Sequence, residues 1–246
     1  MKIYKKFAEI YDKIMQEGFH RKYKQYYEFI IANAKRYGVS LNRMLDIACG
    51  TGKLAEMFRK RGYDIEGIDK SKNMLEIARQ RGIKCYEADM AHFNLNKKYN
   101  LILCVFDSLN YLTKPNQIRK CFSCVSKHLE KGGLFIFDMN SDYKINSLLR
   151  NASTWYKKIN NIELIWINSW KKDMWISKII MFEKIKENIY KRYCEVHVEK
   201  AYSLAKIKKL LKETGFRIRG IYSSLNFDKI KKDSGRWFFV VQKTKF

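Results

Sequence analysis

From Leu45 to Lys53 the chain reads Leu-Asp-Ile-Ala-Cys-Gly-Thr-Gly-Lys, a short apolar strand running into a glycine turn that opens a helix. Glycine tolerates positive φ and lets a ligand come close to the backbone, so Gly50 and Gly52 suit a turn that must do both. Strand and helix patterns alternate from there on. Strands are expected over 44–48, 63–68, 83–87, 101–106 and 134–137. Helices are expected over 53–61, ending at Gly62, over 72–81, ending at Gly82, and over 117–129, closed by Gly132-Gly133. This alternation predicts an α/β fold with a parallel sheet and right-handed crossovers. In such sheets ligands bind beyond the carboxyl ends of the strands, where the glycine turn lies.

Two regions depart from that rhythm. Residues 2–37 read as helical, with aromatic residues at Tyr4, Phe7, Tyr11, Phe19, Tyr23, Tyr26 and Tyr27 and Gly38 as C-cap. Between Ser153 and His197 the chain is rich in Ile, Trp and Tyr in approximate alternation, as antiparallel strands inserted into the core would be. Ser203 then reads as the N-cap of a helix reaching Thr214 and stopped by Gly215, followed by strands over 217–222 and 237–242.

Composition narrows the class. Of the 246 residues 46% are apolar, and no stretch is long and apolar enough to span a bilayer. Nothing reads as a secretory leader, so a cytoplasmic address and no membrane partner are expected. The six cysteines (Cys49, Cys85, Cys104, Cys121, Cys124 and Cys194) are scattered through strands and helices and form no disulfide framework. Cys121 and Cys124 share a helix face without a second pair to complete a tetrahedral site, which favours packing over metal binding. Fifty Lys and Arg against twenty-five Asp and Glu give a net charge of +25. That profile suits a nucleic-acid binder. Compositional drift is the favoured explanation, because the basic residues form no dense block and sit at exposed-looking helix positions such as 206–209 and 229–232.

The acidic residues distinguish between ligands. Gly50-x-Gly52-x-x-Ala55 by itself satisfies a dinucleotide fingerprint. Asp69, ending the second strand, is placed for the two hydroxyls of a ribose and serves either an NAD or a sulfonium nucleoside. Asp46, inside the first strand, would repel a diphosphate but suits the ammonium of a methionine moiety. Asp89-Met90 follows the third strand, where a carboxylate can accept from an adenine amino group beside an apolar side chain. A ligand with an adenosine, a sulfonium and an amino acid fits this set better than a dinucleotide does. The structural alternatives are an ordinary strand–helix turn for Gly50 and Gly52, a helix N-cap for Asp69 or Ser71, and a buried helix stripe for Tyr4, Phe7 and Tyr11.

Taken together these residues resemble the class I S-adenosylmethionine-dependent methyltransferases. Asp46-x-x-x-Gly50-x-Gly52 resembles their glycine motif, Asp69 their ribose acid and Asp89-Met90 their adenine loop. The likeness extends to a bacterial subgroup of small-molecule N- and O-methyltransferases. Tyr4-x-x-Phe7-x-x-x-Tyr11-Asp12 looks like their N-terminal lid, Phe106-Asp-Ser-Leu-Asn-Tyr111 like the segment after their fourth strand, and Arg236-Trp-Phe-Phe239 like their last strand. The resemblance implies a Rossmann-like core with a mostly parallel seven-stranded sheet, its last strand antiparallel. It divides the chain into a helical lid over 1–37, a core over 38–150 and 200–246, and an antiparallel β cap over 151–199 above the acceptor pocket. It further implies S-adenosylmethionine as cofactor, S-adenosylhomocysteine as product, and no metal. Asp46, Ala48, Gly50, Gly52, Asp69, Lys70, Met74, Asp89, Met90 and Phe106 would surround the cofactor, and Tyr4, Phe7, Tyr11 and Tyr111 the acceptor.

Methyl transfer from a sulfonium is an in-line displacement with a neutral leaving group, so alignment and exclusion of water matter most. A weakly acidic acceptor also needs a base. Tyr11, His20, Asp107, Asn110 and Tyr111 lie in the right segments, with Tyr11, Asp107 and Asn110 the catalytic candidates, and none is singled out. Among the remaining histidines, His128 in a helix and His197 in the insertion read as structural. Enzymes that methylate exocyclic base amines carry Asn/Asp-Pro-Pro-aromatic after the fourth strand, whereas this chain has Asp107-Ser-Leu-Asn110 and a single proline, Pro115. The Pro-Cys nucleophile of cytosine C5 chemistry is also absent. A small-molecule N or O acceptor is therefore the leading expectation. An RNA (tRNA or rRNA) methyltransferase of another subclass comes second, and an NAD-binding oxidoreductase third, disfavoured by Asp46 and by the lack of Tyr-x-x-x-Lys. Trp155, Trp166, Trp170 and Trp175 suit a lidded pocket, a core or a dimer surface, and either a monomer or a homodimer is compatible with the sequence.

Overall fold

The computed structural model describes residue 4 and residues 6–17, 23–114, 116–148 and 154–244. Phe19, His20, Pro115 and the boundary at 149–153 lie outside the described residues. The sheet of the core takes in β1 (Met44–Ile47), β2 (Ile65–Asp69), β3 (Lys84–Glu87), β4 (Tyr99–Cys104), β5 (Leu129–Asn140), β10 (Phe216–Tyr222) and β11 (Arg236–Lys243). Their spatial order is β3-β2-β1-β4-β5-β11-β10, and β11 alone runs against its neighbours, pairing antiparallel with both β5 and β10. The expected seven-stranded, mostly parallel sheet is thus found. The reversal of strand order at β1 and β4 opens a crevice at their carboxyl ends, where the glycine turn begins.

Both faces of that sheet are covered, which is why β4 carries Leu101-Ile-Leu-Cys104 as a continuous buried apolar run rather than an alternating one. On one face lie α2 (Tyr23–Arg36), α3 (Lys53–Arg59) and α4 (Lys72–Gln80), packed through Phe29, Ile30, Leu54, Phe58, Leu75 and Ala78. On the other lie α5 (Gln117–His128) and α6 (Leu204–Glu213), packed through Cys121, Phe122, Val125, Ile207 and Leu211. Each such buried Leu, Ile, Phe or Val side chain contributes roughly 1.5–3 kcal/mol. Local signals place the helix ends. Ser71 accepts from the Met74 amide at 3.3 Å and Ser203 from the Lys206 amide at 3.3 Å. Gly38, at φ +63°, closes α2 while the Val39 amide donates to the Ala34 carbonyl at 2.9 Å. Gly132-Gly133 does not close α5, contrary to expectation. The helix stops at His128 and the chain enters β5 at once, with the two glycines inside the strand. The β4–β5 register breaks there, and a Cβ on Gly133 would lie 2.9 Å from the Asn100 carbonyl oxygen. The pair serves a strand irregularity that brings two backbones close.

The inserted strands β6 (Thr154–Ile159), β7 (Ile162–Lys171), β8 (Met174–Lys186) and β9 (Ile189–Lys200) form a second, antiparallel sheet in sequence order. Its inner face carries Leu164, Trp166, Ile179 and Met181, and what covers that face is α1 (Phe7–Glu17), through Phe7, Ile10, Ile14 and Met15. The N-terminal segment is therefore divided between partners. α1 completes the core of the cap, and α2 packs on the Rossmann-like sheet.

Candidate active site

The crevice is built from backbone first. After β1 the chain turns through Ala48 (φ +57°), Gly50 (φ +55°) and Gly52 (φ +71°) before α3. A Cβ on Gly52 would lie 3.0 Å from that of Ala78, so glycine there lets the turn pack onto α4. At Gly50 a Cβ would meet nothing within 4 Å, which leaves open space above the turn for a ligand. Gly67 on β2 has a role that its position in a plain strand does not advertise, since a Cβ there would strike Cys49 Sγ at 2.7 Å.

Three carboxylates ring this turn. Asp69 ends β2 with Oδ2 accepting the Gly50 amide and Oδ1 the Ser71 amide, both at 2.8 Å. Burial nevertheless holds its pKa above the usual carboxylate value. Asp46, 2% exposed on β1, keeps Oδ1 without a hydrogen-bond partner among the described residues. Burial and then the neighbouring charge of Asp69 raise it to about 8. Asp89, after β3, accepts from Lys70 Nζ at 2.8 Å and from the Ala91 amide at 2.9 Å. Burial opposes its ionisation, but these bonds leave it below the ordinary value. Met90 is half-buried against the α5 side of the core, and Met74 is buried in α4.

The far wall follows β4, where Phe106 (φ +61°) and Asp107 (φ +55°) adopt left-handed backbone in succession. Aspartate enters this region more readily than most residues, but for the bulky Phe106 such strain persists only where the surroundings enforce it. Asp138 on β5, fully buried, accepts the amides of Phe106 at 2.6 Å and Asp107 at 3.1 Å, and also the Tyr26 hydroxyl at 3.1 Å. Arg236 pairs with Asp138 and reaches Asp107 at 3.3 Å, so the ion pair locks the turn. Phe106 is thereby held against Tyr23 and Tyr26, with ring centroids 5.2 and 4.5 Å away. Neither Asp138 nor Tyr26 carries a sequence motif, and Arg236 enters the sequence reading only as part of a last-strand likeness. Their roles come from cross-sheet contacts.

A cavity joins these parts, lined by Asp46, Ala48, Gly50, Thr51, Phe106 and, from α1, Tyr11. Tyr4 packs edge-on to Tyr11 at 5.7 Å, and its hydroxyl donates to that of Tyr111 at 2.9 Å. Tyr111 belongs to the 3-10 turn Ser108–Tyr111 that follows the strained pair. Phe7 is 1% exposed and lies in the α1–cap core. Asn110 is wholly buried and spent on backbone. Its amide donates to the carbonyls of Asn140 and Lys200, and its oxygen accepts the Asn140 amide. It ties three segments together, and both of its amide hydrogens are spent on backbone. Asp107 Oδ2 accepts from Asn140 Nδ2 at 2.6 Å, and that same amide donates to Glu199 Oε2 at 2.8 Å. His128 is structural, as expected, with Nδ1 2.7 Å from the Cys124 carbonyl and Nε2 accepting the Leu95 amide. Asp12 on α1 bonds Thr51 Oγ1 at 2.7 Å and Arg81 at 2.5 Å, which fastens the cap's helix to the glycine turn. Among the described residues no group of His, Cys, Asp and Glu is arranged to hold a metal ion.

A doubly wound sheet whose glycine turn is ringed by Asp46, Asp69 and Asp89 has the form of an adenosine-binding methyltransferase core, and comparison with known proteins places it there. The methyltransferase-domain family profile matches residues 44–133. A proposed methyltransferase of Geobacillus sp. (strain WCH70) is 30% identical over 250 residues, covering 98% of this chain and 99% of its own. The crystal structure of an S-adenosylmethionine-dependent methyltransferase from Clostridium acetobutylicum ATCC 824 superposes with a TM-score of 0.86 at 32% identity, covering 98% of each chain. A dTDP-3-amino-3,4,6-trideoxy-alpha-D-glucopyranose N,N-dimethyltransferase of Streptomyces venezuelae is 33% identical over 97 residues, 39% of this chain and 41% of its own. The chain belongs to the class I S-adenosylmethionine-dependent methyltransferases, and the dinucleotide alternative falls with that membership.

Proposed function

We propose that the protein transfers the methyl group of S-adenosylmethionine to the nitrogen or oxygen of a small molecule. The observation that carries this reading is the ceiling that α1 lays over the site. The cap sheet and α1 share one apolar core, and α1 lays Tyr11 into the cavity beside the glycine turn. A ceiling of this kind admits a small acceptor more readily than a folded nucleic acid. Sugar N-methyltransferases among the relatives support an amine acceptor.

The residues present fit the cofactor. The orphaned Oδ1 of Asp46 would take the ammonium of the methionine moiety, Asp69 the ribose hydroxyls, and Asp89 with Met90 the adenine, while the open space at Gly50 gives the backbone access. Bound there, the cofactor supplies an activated methyl group on a sulfonium that departs as a neutral thioether. Ala48, Lys70 and Met74 border that set, and Phe106, fixed by the Asp138–Arg236 pair, forms a rigid wall across the cavity from Tyr11. Holding donor and acceptor in line between such walls can lower the barrier by up to roughly 7–11 kcal/mol. Tyr4, Tyr11 and Tyr111 then line the acceptor side.

A radiolabelled methyl-transfer screen tests this. Small primary amines, amino sugars and their nucleotides, and small alcohols would form one panel, with unfractionated tRNA at low and high salt as the other. Label on a small molecule is the expected result. Label on tRNA alone would overturn the reading and make the +25 charge functional, and that activity would fall steeply with salt.

A further inference from the structure

The cap contributes a buried pair that the cofactor does not use. His197 and Glu195 lie two residues apart on β9, face the same way, and have side chains only 4% and 5% exposed. His197 Nε2 is 3.5 Å from Glu195 Oε2, and Nδ1 is 3.1 Å from the Tyr111 hydroxyl. That hydroxyl is in turn 2.9 Å from that of Tyr4, whose ring packs on Tyr11 at the cavity. Carboxylate, imidazole and hydroxyl thus stand in series, buried at the glutamate end and half-buried at the tyrosine end, with Nε2 within ion-pairing reach of the carboxylate but making no hydrogen bond among the described residues. This is the arrangement in which an acid orients an imidazole so that the imidazole can take a hydroxyl's proton.

We propose that Tyr111 receives the proton an acceptor amine loses on methylation, passing its own proton to His197, with Glu195 fixing the imidazole. This rests on the small-molecule reading above. As the amine's lone pair forms the new C–N bond, the C–S bond breaks and its electron pair stays on sulfur. The resulting ammonium gives one proton to Tyr111 Oη. The phenolic proton moves to His197 Nδ1, and the imidazolium that forms is paired with the Glu195 carboxylate. Tyr111 is the catalytic residue, and His197 and Glu195 are positioning residues that act through it.

The charges around the series suit these roles. Burial alone would push Glu195 up, but His197 and the amides of Phe7 and Tyr4 leave it below the ordinary value, so it stays ionised. Burial, followed by Tyr4 and Glu199, holds Tyr111 well above a free phenol, so it waits protonated. His197 is faced by Tyr4 and Phe7 from the N-terminal segment, by Tyr111 from the 3-10 turn, by Ser177 across β8, and by Glu195 and Glu199 on its own strand. Asp107 joins Glu199 through Asn140. Glu195 also accepts the Tyr4 amide at 2.6 Å and the Phe7 amide at 3.2 Å, so the same carboxylate holds the N-terminal segment in place.

Two measurements on the full-length protein test the relay. With S-adenosylhomocysteine bound, ¹⁵N spectra of the imidazoles, assigned through His197→Asn, should show the proton on Nε2 and an acceptor-type Nδ1. Tyr111→Phe should move Nδ1, and Glu195→Gln should move Nε2. A His197 resonance indifferent to Tyr111→Phe overturns the relay. With any amine that the wild type methylates, Tyr111→Phe and His197→Asn should lose roughly 10²-fold in kcat, the usual worth of a positioned proton acceptor. KM should stay within about threefold. A kcat within about threefold of wild type in both variants also overturns it. A wild type that methylates nothing in the amine panel defeats the small-molecule reading, while the spectra still decide the relay.

Discussion

The two ends of the crevice are built differently. The cofactor end comes from one stretch of chain, 44–90, in which each strand delivers its carboxylate at its own carboxyl end and the glycine turn connects the first two units. The proposed acceptor end draws on residues 4, 11, 111 and 197, brought together by the N-terminal segment, the turn after β4 and the cap sheet. A cofactor common to many enzymes can be held by a local backbone device that any sequence of this class can carry. An acceptor particular to one enzyme is met by side chains that only long-range packing assembles. The proposed roles of these residues make the contrast testable, because damage at one end should leave the other end's binding intact.

The largest expected effect is at Asp69. Asp69→Ala removes the acceptor for the Gly50 amide together with the proposed ribose contacts, each a charge-assisted hydrogen bond worth roughly 1.5–3 kcal/mol. Calorimetric titration with S-adenosylhomocysteine should show at least a ~100-fold loss of affinity. Tyr111→Phe, at the acceptor end, should keep that affinity within about threefold. If the two variants weaken binding equally, the ends are not separable and the comparison fails.

Asp46 sharpens the contrast through pH. Its pKa of about 8 in the folded protein stands above the ordinary 3.8, so the folded state holds a proton that the unfolded chain releases in between. Its contribution to stability is therefore fully present below the unfolded value and is lost as pH rises toward 8. Asp46→Asn removes that dependence, and between pH 6 and 9 its Tm should fall less than that of the wild type. Binding of an ammonium beside Asp46 should expel the proton. At pH 6.5 the enthalpy of S-adenosylhomocysteine binding to the wild type should change with the buffer's ionisation enthalpy, and in Asp46→Asn this dependence should shrink. An unchanged dependence in the variant would remove Asp46 from the ammonium site.

How much of this was legible in the sequence follows the same division. Gly50, Gly52, Asp46, Asp69 and the strand–helix alternation are local signals, and the sheet they imply is the one found. Ser203 as an N-cap and Gly38 as a C-cap were legible for the same reason. Gly132-Gly133 misled because a glycine pair after a helix signals a cap, while here it lets two strands approach. Gly67 gave no sign, since only the folded turn brings Cys49 above it. His197 read as a structural histidine because nothing in one strand reveals that Tyr111, 86 residues earlier, lies against its Nδ1. Asn110, placed by its segment among the candidates, is consumed by backbone. Asp138 and Arg236 act across the sheet to enforce the strain at Phe106 and Asp107, and strain leaves no mark on composition.

The smallest expected effect lies at a joint between the two ends. α1 belongs by its apolar face to the cap, yet Asp12 on it reaches Thr51 in the glycine turn and Arg81 after α4. Arg81 also donates to the Thr51 carbonyl at 2.6 Å, so helix, turn and arginine form a closed triangle over the site. The Asp12 and Arg81 side chains are 23% and 20% exposed, which keeps the pair between a surface bridge and a buried one in strength. Asp12→Asn keeps the size of the side chain and one hydrogen-bond acceptor but loses the charge, which should cost about 1 kcal/mol. If α1 must lift for the cofactor to leave, that loss should speed S-adenosylhomocysteine dissociation about fivefold in stopped-flow chase experiments, with a smaller change in the association rate. Arg81→Met, which also removes the bond to the Thr51 carbonyl and the pairing with Glu56, should speed dissociation at least as much, and the double variant should exceed it by little, because the Asp12–Arg81 pair is lost only once. Dissociation at the wild-type rate in both would mean that the cofactor leaves by a path that does not pass beneath α1, and the cap would then close over the acceptor alone.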